Sequence, residues 1–158
     1  MTTATSLFDL PAATHAYLER SARALHEAIT TSEVTVRYAN AHVAALRATA
    51  ALLAARAHPN PIGGRRRGQQ RNAWVLLAEV APEFKEWAAF FSSGAAKRAA
   101  AEAGSLRAVT EREADDLVRE ADLFLGLIEQ SLGLTKHVPF QELLPISPGR
   151  TGHHGQVA

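Results

Sequence analysis

The chain has 158 residues, seventeen Lys and Arg against sixteen Asp and Glu, and no cysteine. Such a length suits one domain whose core removes roughly two thirds of the unfolded surface from water, and the near-zero net charge excludes a chain that is basic or acidic throughout, while the missing thiols exclude disulfides, iron–sulfur clusters, thiolate zinc sites and cysteine nucleophiles. No run reaches the roughly 18–20 apolar residues of a membrane span and the N-terminus lacks the basic-then-apolar order of a secretion signal, so the expectation is a cytoplasmic protein with no membrane partner.

Alanine supplies 32 of the residues within the 47% apolar fraction. It has the best helix propensity and little side-chain area, so the fold class expected is all-α, with closely spaced helices. Pro11 suits a first helical turn. Leu18, Ala22, Leu25 and Ile29 then recur at three and four residues, giving a first helix to about Thr30. The β-branched residues of 30–36 are the only strand signal and have no partner run nearby. Ser32 and Glu33 mark the start of a second helix, in which Val36, Val43, Ala50 and Ala57 alternate with Ala39, Leu46 and Leu53 in a seven-residue rhythm.

His58 to Gly68 holds two prolines, three glycines and Arg65, Arg66 and Arg67, a composition that breaks the helix and predicts a long basic loop. A third helix is expected near Gln70 with Trp74, Leu77 and Val80. Pro82 opens a new segment carrying Phe84, Trp87, Phe90 and Phe91, and a short alanine helix from Ala95 stops at Gly104. Thr110 and Glu113 have capping-box spacing. Behind them Ala114, Val118, Ala121, Leu125, Ile128 and Leu132, thickened by Leu117 and Phe124, form the stripe of a last helix ending near Gly133. These elements predict a four- to five-helix up-down bundle over 11–134 with a flexible tail at 135–158. In that tail Leu143 and Leu144 have the character of a short anchor.

Charge is segregated. Seven arginines and no acid lie between Val34 and Ala78, whereas residues 79–129 hold eleven acids and six bases. An anionic partner would be steered to the basic half, and the same asymmetry would suit contact between two copies. Arg65, Arg66, Arg67 and Arg71 are the candidate nucleic-acid contacts, able to reach phosphates without reading bases. Tyr38 and Trp74 would stack on bases if exposed, but aromatics at helical spacing usually belong to a core.

No metal-ligand spacing is present among the histidines and no cofactor is called for. Asp115, Asp116, Glu120 and Asp122 read as the wet face of the last helix, with pairs such as Asp115 and Arg119 at i,i+4. The candidate catalytic group is Arg37 and His42 with Asn40 between them. A histidine can take the proton of a ribose 2′-hydroxyl and an arginine can neutralise the phosphate charge that grows in the transition state, cleaving RNA without metal. Five helical residues separate the two side chains by about 140° around the axis, so they do not share one face.

The stretch R-Y-A-N-A-H-V-A-A-L-R-A-T-A-A-L-L (Arg37 to Leu53), together with Trp74 to Phe91 and Arg112 to Leu125, resembles the HEPN family, and in particular an actinobacterial subfamily, over most of residues 14–134. The resemblance implies a four- or five-helix bundle, commonly a homodimer, whose active members are metal-independent ribonucleases with an arginine followed by a histidine after four to six positions. Arg37 and His42 match that spacing. Tyr38, however, stands where the family prefers a polar residue, the pair falls in an early helix, and Arg71-Asn72 has no histidine after it at the required distance. The expectation is therefore a non-catalytic bundle that forms a homodimer and binds a protein partner, linked to nucleic-acid processing. The alternatives are a metal-independent endoribonuclease using Arg37 and His42, or an RNA- or nucleotide-binding protein acting through the Arg65–Arg67 loop.

Overall fold

The computed structural model describes residues 9–56 and 72–140. They form α1 (Ala12–Thr30), α2 (Val34–Arg56), α3 (Ala73–Val80), a 3-10 turn (Pro82–Phe84), α4 (Lys85–Ser93), α5 (Ala95–Glu102) and α6 (Glu111–Ser131), with no strand among the described residues. The all-α expectation holds. The connection between α2 and α3, with Arg65, Arg66, Arg67 and Arg71, lies outside the described residues.

Helix boundaries follow local chemistry. Asn72 caps α3 by accepting the Trp74 N–H at 2.9 Å. The capping box of α6 is formed as the spacing predicts: Glu113 N–H donates to the Thr110 hydroxyl at 3.2 Å and Thr110 N–H donates to the Glu113 carboxylate at 2.9 Å. Gly133 ends α6 at a φ of +76°, a conformation that glycine adopts without steric penalty. The Leu134 N–H then reaches the Glu129 carbonyl and the Gly133 N–H the Gln130 carbonyl, which satisfies two of the last carbonyls of the helix.

Helix α2 is the centre of the fold, packed against α1 on one side and α3, α5 and α6 on others. Its interior seams differ from the one the bulky residues suggest. Thr35, Tyr38, His42, Ala45, Thr49 and Leu52 are buried along one line and Ala41, Ala44, Ala48 and Ala51 along another, while Val36 is 37% exposed and Val43, Leu46 and Leu53 are only partly buried. A helix enclosed on two faces has no single apolar stripe, so alanine marks the closest approaches and the larger aliphatics sit at the margins. Helix α1 lies antiparallel to α2, and its buried Thr14 and Ser21 hydroxyls donate to the Ala51 and Ala44 carbonyls at 3.0 and 2.7 Å. Both hydroxyls thereby satisfy their hydrogen-bonding need without water.

The α6 stripe is buried as its sequence spacing requires: Ala114, Leu117, Val118, Ala121, Phe124, Leu125, Ile128 and Leu132 are each at most 6% exposed. Against it lies an aromatic cluster. Phe91 stacks on Trp74 at 5.1 Å and on Trp87 at 6.0 Å, and its ring centroid is 5.1 Å from that of Phe124. Tyr38 and Trp74 are part of this core.

Candidate functional site

The three candidate catalytic residues on α2 are carried into three different surroundings. Arg37, one turn into the helix, turns toward α6: its Nη1 is 2.5 Å from the Asp115 carboxylate, and Nη2 donates to the Thr31 carbonyl at 3.2 Å. Asn40 faces α1, in a shallow groove that it shares with Arg20, Arg23, Glu27 and Arg47. His42 points into the aromatic core.

His42 is 1% exposed. Its Nε2 lies 3.0 Å from the Phe91 carbonyl, an acceptor only, so Nε2 carries the proton and donates. Nδ1 is buried with no hydrogen-bond partner. The Trp74 and Phe91 rings meet the imidazole edge-on at 5.7 and 6.1 Å. Burial holds its pKa below the ordinary histidine value, offset in part by the bond to the Phe91 carbonyl, so the ring is neutral near pH 7. A general base must reach the proton it takes directly or through one water. This imidazole is walled off by rings, and the guanidinium of Arg37 is engaged elsewhere.

Gly94, at the α4–α5 junction, packs close to Tyr38 and His42. A Cβ there would stand 3.0 Å from the Tyr38 hydroxyl and 3.8 Å from the His42 ring. The absent side chain is what lets this backbone seat against both residues.

The charge segregation of the sequence is partly consumed within the chain. Arg37 pairs with Asp115, and Arg56 pairs with Glu83, so two arginines of the basic half meet two acids of the acidic half. Asp115 thus has Arg37 where the helical spacing suggested Arg119, and Arg119 bonds Asp116 instead.

A second cluster was missed by the sequence reading. Asp122, which its charge groups with the wet face, is 7% exposed. Residues 135–140, where the composition predicts the start of a flexible tail, run back along α6, and His137 sits with Nε2 on Asp122 and Nδ1 on Glu129. The Phe140 N–H donates to the second Asp122 oxygen at 2.9 Å and the His137 N–H to Glu129 at 3.2 Å. The two carboxylates hold the His137 pKa up at about 9. One signal for this was present: Asp122 is four residues after Val118 and three before Leu125, on the buried stripe. Among the described residues no group of three or more His, Cys, Asp or Glu is arranged to hold a metal ion.

The fold and these surroundings define a small α-helical bundle organised around a central helix with a sealed histidine. The SAV_6107-like HEPN family model matches residues 28–129, and the chain belongs to that family. This membership associates the chain with nucleic-acid-related function. No curated protein and no solved structure matches the chain. No helix among the described residues is long and apolar enough to cross a membrane.

Proposed function

We propose that this chain is a non-catalytic HEPN bundle that self-associates and acts by binding a protein partner engaged in nucleic-acid processing. The observation that carries the reading is the state of His42: neutral, 1% exposed, and hydrogen-bonded to the Phe91 carbonyl. In that setting the histidine fastens α2 to the end of α4 and has no access to a ribose hydroxyl. Self-association is supported by Val75 of α3 and Phe90 of α4, which are 51% and 46% exposed on two helices packed against each other. Apolar side chains of this size gain free energy when a second surface covers them.

The test has two arms. Single-stranded RNA incubated in chelator with the wild type and with His42→Ala should remain intact in both. Cleavage by the wild type that a folded His42→Ala variant lacks would establish the ribonuclease alternative. Sedimentation at tens of micromolar should give the mass of a dimer, and a monomer at that concentration would remove the self-association half of the proposal.

A further inference from the structure

Beyond the reading above and independent of it, the geometry points to a detachable strap: residues 135–140 are held shut on α6 by the imidazolium of His137 clasped between Asp122 and Glu129, and the strap opens as a unit while the bundle stays folded. Each ring nitrogen of His137 faces a carboxylate oxygen. Neither oxygen can donate, so both nitrogens carry protons and the ring is a cation. The carboxylates are seven residues apart on α6, which places them on one face of the helix, two turns apart, with the imidazole spanning them.

The surroundings make this clasp the main fastening. Gly126 lies beneath it, and a Cβ there would meet Lys136 and His137 at 3.7 and 3.8 Å, so the strap rests close to the helix surface. Beyond the C-terminal turn of α6, the strap's hydrogen bonds to the bundle end on the side chains of Asp122 and Glu129. Its apolar contribution is limited to a half-buried Phe140 and to Val138, which remains 54% exposed. A segment with few buried apolar contacts and a few charge-assisted bonds belongs to the low end of local stability. The other charged or titratable groups bordering the clasp are Arg119 and Glu120 of α6, Lys136 of the strap itself and His26 of α1. Val138 and Phe140 form one wall of a groove whose other walls are Leu25 and Ile29 of α1 and Leu125 of α6, so opening the strap uncovers apolar surface at the α1–α6 seam.

The decisive comparison is backbone amide exchange in the full chain near neutral pH, wild type against His137→Gln, combined with titration of the His137 ring by NMR. The His137 and Phe140 amides should exchange about tenfold faster or more in the variant, while interior amides of α1 and α2 keep their wild-type rates, and the wild-type ring should titrate well above the ordinary histidine range. Unchanged exchange at the two strap amides would overturn the proposal. So would acceleration of the α1 and α2 amides together with the strap, because the segment would then belong to the global unit, and so would a ring that titrates at its ordinary value.

Discussion

Replacing His42 separates a structural histidine from a chemical one, because the packing fixes what each substitution should do. In His42→Leu the bond to the Phe91 carbonyl is lost, a loss of about 1 kcal/mol. That carbonyl keeps the Gly94 N–H at 3.1 Å, so it is not orphaned, and the unpartnered Nδ1 disappears with the ring. The net change near pH 7.5 should stay within about 1 kcal/mol. His42→Ala instead leaves a void beside the stacked Trp74 and Phe91 rings, and should cost about 2–4 kcal/mol. The two proteins also differ from wild type in acid. Burial sets the folded-state pKa of His42 below its unfolded value of 6.5. Between those two values the unfolded chain binds the extra proton, so wild-type stability falls as pH drops below 6.5 and levels off once the folded pKa is passed. The ceiling on this contribution at about pH 5.5 is about 1.4 kcal/mol. Urea unfolding followed by the fluorescence of Trp74 and Trp87 at about pH 7.5 and about pH 5.5 measures both quantities. Equal acid losses in wild type and His42→Leu, or a loss in His42→Leu as large as in His42→Ala, would refute the account of a sealed neutral ring.

Two further outcomes test local geometry. Thr110→Ala removes the hydroxyl that receives the Glu113 N–H and should lower stability by about 1 kcal/mol in urea unfolding; no change would mean that the box does not hold the start of α6. Gly94→Ala drives a methyl group against the Tyr38 hydroxyl and should cost about 1–3 kcal/mol, and most of that loss should vanish in a Tyr38→Phe background; an unrelieved cost would place the clash elsewhere.

Helix α6 was legible in the sequence from end to end because three signals agree there: a stripe of large apolar residues, the Thr110–Glu113 box and a glycine just past the end. Helix α2 was legible as a helix but not as a packing element. It is enclosed on two faces, so the seven-residue rhythm of Val36, Val43, Leu46 and Leu53 marked its margins, while polar Thr35, His42 and Thr49 sit inside. Arg37, Asn40 and His42 were identifiable as chemistry-bearing residues, but their partners Asp115 and Phe91 come from 78 and 49 residues away and periodicity carries no information about such pairings. The same holds for Asp122, whose burial depends on donors from His137 and Phe140 supplied by a segment whose composition reads as a tail.

The hydroxyl contacts between the first two helices have a mechanical consequence. Thr14 and Ser21 are one heptad apart on α1, and their acceptors Ala51 and Ala44 are one heptad apart on α2, in the reverse order. The hairpin is therefore keyed at two points along its length, and a slip of a single residue would unseat both keys together. Alignment resides in the seam itself rather than in the three-residue link Thr31–Glu33, so α1 follows α2 as a rigid spar would follow its mast.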